Sequence, residues 1–205
     1  MKKILIITYY FPPAGGPGVQ RWLKFVKYLP DFNIQPIVYI PEKLVSEISD
    51  KAIILKQPIF EPYQLAAVFS KNKTKKISSG IIPNQKKQTF LDKTFLWIRG
   101  NLFIPDARVF WVKPSVKYLK QYIQDNNIET IITSGPPHSL HLIGLELKQE
   151  LKVNWLADFR DPWTTIGYHK ALKLSNYASK KHKKLEFQVL NSADTIIVTS
   201  KTTKT

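Results

Sequence analysis

The sequence predicts an α/β fold: a Rossmann-like parallel sheet with helices on both faces. Apolar runs rich in β-branched residues alternate with amphipathic helical segments, a pattern typical of parallel strands buried on both sides. Hydrophobic residues make up 43% of the chain and include five tryptophans, which indicates a folded protein. The length of 205 residues suits one large domain or two small ones. We assign residues 1–205 to a single domain.

The first strand is predicted over residues 3–8. The preceding lysines make the start of the chain similar to a signal peptide, but the apolar run is short, and Pro12 and Pro13 stand where a cleavage site needs small residues. A glycine-rich turn follows, and then a helix over residues 17–29. Its inward face is predicted to hold Val19, Trp22, Leu23, Val26 and Leu29, and its outward face Gln20, Arg21, Lys24 and Lys27.

The middle of the chain is less regular. Strands are predicted over residues 35–40 and 52–55, and residues 61–69 have a helical pattern. Residues 70–88 are basic and turn-rich, which predicts a mobile excursion. The aromatic stretch from residue 89 to 111 is expected either as a helix packed on the domain or as a partly exposed ledge. A helix ending near Asn126 follows.

From residue 128 the alternation becomes regular. Strands are predicted at "ETIITSG", "VNWLADF" and "DTIIVTS", with a helix at "HSLHLIGLELKQEL" and another around residues 170–190. The first of these helices is expected to turn Leu140, Ile143, Gly144, Leu147 and Leu151 inward. No apolar run approaches the roughly 20 residues of a membrane span.

Three unusual peptides follow predicted strands: "PPAGGPGVQR", "SGPPHS" and "DFRDPW". Ligands of open parallel sheets bind at the carboxyl ends of the strands, where these peptides should meet. Gly15, Gly16 and Gly18 let a ligand approach the main chain, and the helix behind them offers an N-terminus to phosphate. The alternative is a turn that only permits close packing of helix and strand. The order of glycines matches neither a dinucleotide fingerprint nor a P-loop.

The other two peptides carry the candidate chemistry. His138 suits proton transfer or a hydrogen bond to a sugar or phosphate. The alternative is that it is merely an exposed residue at a helix start. His141 is expected either on the helix surface or in the core. Asp158 and Asp161 can accept hydrogen bonds from hydroxyl groups or a proton. The alternatives are that Asp161 is a helix N-cap and that Arg160 pairs with an aspartate.

Two further side chains of these peptides, those of Arg160 and Trp163, are candidates for binding a ligand. Arg160 can clamp a phosphate. Trp163 either stacks on a sugar ring or fills the core.

The composition of the chain limits the classes of partner that it is expected to bind. The formal charge of +16 favours anionic partners: nucleic acid, acidic lipids or phosphorylated small molecules. The chain has no cysteine and no motif with metal-ligand spacing, so we predict no metal and no cofactor. No nucleic-acid motif is recognised, which makes a nucleic-acid partner the least favoured of the three.

The stretches "YYFPPAGGPGVQRW", "TSGPPHSLHLIGLELKQEL", "NWLADFRDPWTT" and "LEFQVLNSADTIIVTSK" resemble the N-terminal half of bacterial family 4 glycosyltransferases, which have the GT-B fold. The resemblance covers roughly residues 1–40 and 128–205 and is weak between them. It implies one half of a GT-B fold, in which the acceptor-side domain faces a donor-binding domain that this sequence does not contain.

The resemblance also implies a function. A hexosyltransferase of this kind moves a sugar from a nucleotide-sugar to a lipid-linked or saccharide acceptor in the synthesis of lipopolysaccharide or other surface polysaccharide, with retention of configuration and without a metal; this fragment alone would be inactive. Gly15, Gly16 and Gly18 would lie near the donor diphosphate. His138 and Asp161 would be catalytic, and Arg21, Asp158, Arg160 and Trp163 would contact the acceptor.

The implied location is the cytoplasm, with peripheral attachment to the inner face of the cytoplasmic membrane. The basic clusters at residues 71–76 and 180–184 are candidate contacts with acidic headgroups, or else solvated surface. The competing interpretation is a non-catalytic Rossmann-like module that binds an anionic membrane or a partner protein.

Overall fold

The computed structural model describes residues 1–42, 52–60, 90–167 and 172–204. Within them, the strands are β1 (Lys2–Thr8), β2 (Ile34–Pro41), β3 (Ile53–Gln57), β4 (Thr130–Gly135), β5 (Asn154–Phe159) and β6 (Thr195–Val198). The helices are α1 (Pro17–Tyr28), α2 (Phe90–Asn101), α3 (Val109–Asp125), α4 (Ser139–Glu150), α5 (Asn176–Ser192) and the short α6 (Lys201–Lys204), and a 3-10 turn spans Leu29–Phe32.

The strands form one parallel sheet in the order β3-β2-β1-β4-β5-β6. From β1 the chain adds β2 and then β3 on one side of the sheet. It then crosses to the other side of β1, where it adds β4, β5 and β6 in turn. This reversal between β1 and β4 is the topological switch point at which α/β proteins leave a crevice for ligands. The predicted Rossmann-like α/β fold is confirmed.

Alternating residues of the strands supply two cores. Ile6 of β1 and Val38 of β2 point to one face, where Trp22 and Val26 of α1 cover them. The neighbouring strand residues point to the other face, which α3, α4 and α5 cover with side chains that include Trp111, Leu119, Leu140, Ile143 and Val189. Side-chain alternation along strands that are buried on both sides explains why each strand reads as a continuous apolar run.

The predicted strands lie within about two residues of the observed ones. The aromatic stretch before α3 is mostly helical, since it contains α2 and the start of α3. The helix predicted from residue 170 is wrong at its start: α5 begins at Asn176, because the side chain of Ser175 caps it by accepting a hydrogen bond from the Ala178 amide at 3.2 Å.

Three earlier predictions lie outside the described residues: the helix at 61–69, the excursion at 70–88 and the basic cluster at 71–76. In the described part of the chain, every helix is too short or too polar to cross a bilayer.

Candidate functional site

The three strand-end peptides meet around Arg160. Its amide and its Nε donate to the carbonyl oxygen of Gly135, at 3.1 Å and 3.2 Å, and Nη2 donates to the carbonyl oxygen of Pro136. Its guanidinium lies 5.8 Å from the ring centre of Tyr10, which follows β1. One cation thus contacts the peptides that follow β1, β4 and β5, and the convergence expected from the sequence is present.

The glycine turn gives α1 an N-terminus without a side-chain cap. Gly16 is the N-cap, and its φ of 110° lies in the region that favours glycine. A Cβ added at Gly15 or Gly16 would meet nothing within 4 Å, so the turn borders open space there. The first amides of a helix have no acceptor within it and carry the positive end of its dipole. An anion can therefore reach this helix end.

Gly18 has a different reason to be glycine. A Cβ at this position would overlap Nη1 of Arg160. The guanidinium occupies the volume that a side chain would need, so the packing of Arg160 on α1 accounts for this glycine. Of the three glycines, the structure leaves Gly15 and Gly16 facing open space and brings Gly18 against a neighbouring cation.

Asp158 and Arg21 form an ion pair that ties α1 to the sheet. Nη2 of Arg21 donates to Oδ2 of Asp158, which also accepts from the Ser134 hydroxyl at 2.7 Å. That hydroxyl in turn accepts from Nε1 of Trp22 at 2.7 Å. The Asp158 side chain is only 1% exposed and that of Arg21 is 28% exposed. The sequence placed Arg21 on the outward face of α1, but its long side chain reaches back to the buried carboxylate.

His138 lies in a stack of aromatic rings. Its ring is parallel to that of Trp163, with 4.9 Å between the centres and 4° between the planes. Trp163 is fully buried and its Nε1 donates to Nδ1 of His182 at 3.1 Å. His138 is 5% exposed, so the expectation of an exposed residue at the helix start is wrong: the stack covers the ring. Of the two roles considered for Trp163, the structure gives it the position of a core residue.

His141 is a core residue, the second of the two positions expected for it, and is fully buried. The Thr133 hydroxyl accepts from Nε1 of Trp155 at 2.9 Å and lies 2.9 Å from Nδ1 of His141. A hydroxyl can accept two hydrogen bonds and donate one, so the tautomer of the His141 ring decides which atom of this pair donates. Burial, and next the charges of His138 and Arg160, lower the pKa of His141 well below 6.5.

Two more glycines make room for these rings. A Cβ at Gly135 would overlap Nε2 of His141, and one at Gly144 would overlap the indole of Trp155. The close packing of β4, α4 and β5 beneath the site depends on both.

Asp161 is exposed at the edge of the site, beside Arg160. Burial lowers the pKa of Arg160, and the charges of Asp158 and Asp161 act in the opposite direction. The hydroxyl of Thr199, just after β6, donates to the Arg160 carbonyl oxygen at 2.7 Å and anchors this loop. The arrangement therefore offers an accessible carboxylate, a fixed cation and an open helix N-terminus at one edge of the sheet.

Sequence reasoning missed a second polar cluster at the same edge. Asp106 accepts from the amide and hydroxyl of Ser139, at 3.0 Å and 2.8 Å, and so caps α4 from another part of the chain. Arg108 is 8% exposed, lies 4.5 Å from the ring centre of Tyr9 and donates to its hydroxyl at 3.1 Å. The polar "PDAR" within an aromatic stretch, just before a helix, was the available signal.

Neither a protein-family model nor a curated protein sequence matches the chain. Among solved structures, the chain is similar to S. aureus MnaA in a co-structure with UDP, with 15% identity and a TM-score of 0.46 over 99% of this chain and 39% of that one. It is also similar to a glycosyltransferase from Rickettsia africae, with 13% identity and a TM-score of 0.42 over 96% and 42% of the two chains. The chain thus spans about two fifths of the length of these proteins. The similarity concerns the fold alone.

Proposed function

We propose that this chain is the acceptor-side domain of a two-domain glycosyltransferase of the hexosyltransferase type. The complete enzyme would move a sugar from a nucleotide-sugar to a lipid-linked or saccharide acceptor in the synthesis of cell-surface polysaccharide, with retention of configuration and without a metal or other cofactor. A separate donor-binding domain would complete the cleft, and residues 1–205 alone would be inactive.

The observation that carries this proposal is the open N-terminus of α1 beside Arg160. Gly15 and Gly16 leave space in front of uncapped amides, and the guanidinium of Arg160 packs on Gly18, two residues after Gly16. Backbone amides, a helix dipole and a cation in one place favour the diphosphate of a nucleotide-sugar. Several classes of enzyme bind a diphosphate, and the resemblance of the same peptides to family 4 glycosyltransferases favours sugar transfer among them.

In the proposed reaction, the bond between the sugar C1 and the diphosphate oxygen breaks, and a new bond forms between C1 and an acceptor hydroxyl oxygen. The hydroxyl proton passes to a base, and the nucleoside diphosphate leaves with the electron pair of the broken bond. The chain contributes by stabilising the departing negative charge with the α1 N-terminus and Arg160.

The described geometry favours Asp161 over His138 as the base. The Asp161 carboxylate is exposed at the edge of the site, whereas the His138 ring is stacked on Trp163 and almost fully buried. We propose that Asp161 accepts the proton and that His138 and Trp163 shape the wall behind it. Asp158 and Arg21 then act on the acceptor indirectly, because the Asp158 side chain is only 1% exposed and its Oδ2 is paired with Nη2 of Arg21.

Diphosphate binding is tested on the 205-residue chain by following backbone amide NMR signals during titration with UDP and with inorganic pyrophosphate. We expect saturable shifts at Gly15, Gly16 and Gly18. Gly15→Val fills the open space before α1 and should weaken binding at least tenfold with the fold intact, while Gly167→Val, at another exposed glycine with free space, should leave it unchanged. Unaltered binding by Gly15→Val would contradict the proposed seat.

Sugar transfer is tested on the product of the complete gene with radiolabelled nucleotide-sugars and a lipid extract as acceptor. Asp161→Ala should lower kcat about 100-fold or more, the range for loss of a general base. Asp31→Ala removes a different exposed carboxylate, in the turn after α1, and should have no effect. Full activity of Asp161→Ala would contradict this role; the alternative of a helix N-cap at Asp161 is wrong, because residues 162–166 are not helical.

A further inference from the structure

The face of the sheet on which α1 packs contains a cavity of about 210 Å³. It lies where α1 meets the strands β4, β5 and β6. Trp22 and Phe25 of α1, Ile132 of β4 and Ile197 of β6 supply its apolar wall. An apolar ligand placed there would leave water on several sides at once, which favours binding.

The volume of the cavity limits the size of its ligand. An apolar protein cavity of about 150 Å³ is enough for benzene. The cavity beside α1 therefore holds one six-membered ring together with a short polar group. Phe25 is 50% exposed, and its ring centre lies 5.4 Å from that of the buried Trp22, so the cavity opens to solvent beside Phe25.

The ion pair of Arg21 and Asp158 forms the polar part of the same wall. Oδ2 of Asp158 already accepts from Nη2 of Arg21 and from the Ser134 hydroxyl. Within the described residues, Oδ1 of Asp158 and Nε of Arg21 are buried and have no hydrogen-bond partner. Nearly all buried polar atoms of folded proteins are paired. The cavity thus combines an apolar wall with one acceptor and one donor that the protein leaves unused.

We propose that this cavity binds a small neutral molecule that has an apolar ring or branched chain and one hydroxyl or amide group. The hydroxyl of such a ligand donates to Oδ1 of Asp158, and its oxygen accepts from Nε of Arg21. The ion pair carries no net charge. An ammonium group in the cavity would face the guanidinium and a carboxylate group would face Asp158, so a neutral ligand fits better than either.

The proposal goes beyond sugar transfer and does not rest on it. Among the described residues, Gly15, Gly16 and Arg160, which form the proposed diphosphate seat, are not part of the cavity wall. Binding in the cavity therefore needs no nucleotide-sugar, and it is tested on the 205-residue chain alone.

The test is an NMR titration of this chain with benzyl alcohol. We expect saturable shifts of the Ile132 and Ile197 methyl signals and of the Trp22 indole N–H, which donates to Ser134. The Ile143 methyl signals, from the core on the other face of the sheet, should not move. Nuclear Overhauser effects from the benzyl alcohol ring to the Ile132 and Ile197 methyl groups should locate the ligand without any variant.

Two comparisons separate the polar from the apolar part of the cavity. Asp158→Asn should weaken the binding of benzyl alcohol about fivefold, because a hydrogen bond to a neutral acceptor replaces one to a charged acceptor. Toluene, which has the same ring without the hydroxyl, should bind the parent and this variant equally. Ile197→Phe fills the cavity and should abolish binding of both. Ile196→Phe makes the same change on the opposite face of β6 and should retain binding.

Three outcomes would overturn the proposal. An absence of shifts up to the solubility limit of benzyl alcohol would mean that water satisfies the two polar atoms. An unchanged affinity for benzyl alcohol in Asp158→Asn would mean that the carboxylate takes no part and that the cavity is apolar only. Overhauser effects to methyl groups outside the cavity, or full binding by Ile197→Phe, would place the ligand elsewhere.

Discussion

The ion pair between Arg21 and Asp158 predicts unequal costs for removing its two members. Arg21→Ala leaves a carboxylate that is 1% exposed, with the Ser134 hydroxyl as its remaining described donor. Removing the partner of a buried charge costs about 3–5 kcal/mol of unfolding free energy. Asp158→Ala leaves the guanidinium, whose side chain is already 28% exposed and can turn to water, so the loss is closer to a buried hydrogen bond, about 1–3 kcal/mol.

The assay is urea unfolding followed by tryptophan fluorescence. We expect Arg21→Ala to be about 2 kcal/mol less stable than Asp158→Ala, by the difference between those two costs. The double variant should be more stable than Arg21→Ala alone, since it no longer buries a lone charge. Lys24→Ala, an exposed cation one turn along α1, is the control and should change little. Equal losses in the two single variants would refute the view that burial of Asp158 dominates this pair.

Two further predictions concern the rings and glycines beneath the site. Because burial holds the pKa of His141 well below its ordinary 6.5, the unfolded chain takes up a proton there before the folded one does. The unfolding free energy should therefore fall as the pH drops below about 6.5, by at most about 1.4 kcal/mol per pH unit for this group. Urea unfolding at several pH values measures this dependence, which should be weaker in His141→Gln. An unchanged pH dependence in that variant would exclude His141 as its source. Gly144→Ala should cost about 1–3 kcal/mol, because its methyl group would overlap the Trp155 indole. Gly167→Ala, with free space around it, should differ little from the parent in the same urea experiment, and an equally mild Gly144→Ala would show that Trp155 moves aside readily.

The sheet was predictable because its determinants are local. Continuous apolar runs identified each strand, and spacing identified the buried face of α1, where Val19, Trp22 and Val26 lie as expected. Because ligands and loops of a parallel sheet gather at the carboxyl ends of its strands, the sequence also predicted that the three peptides lie together.

The partners of individual polar side chains were not predictable in this way. Arg21 lies on the outward side of α1 by periodicity, yet its reach to Asp158 depends on a contact across 137 residues. For His138 the sequence allowed both a site residue and an exposed residue at a helix start, and the Trp163 ring that covers it comes from a different strand end. Asp106 caps a helix that starts 33 residues later, which no local capping rule detects.

The glycines at 18, 135 and 144 leave space that the side chain of a larger neighbour fills. Each gives up its own side-chain volume to Arg160, His141 or Trp155, so the two members of a pair share one fixed space. Substitution at one member is then permitted only with a compensating change in size at the other. Among evolutionary relatives with this fold, we expect alanine or serine at position 144 to occur together with a residue smaller than tryptophan at position 155. The same reciprocal exchange should link positions 18 and 160, and a library randomised at both members of a pair would recover folded proteins that neither single library contains.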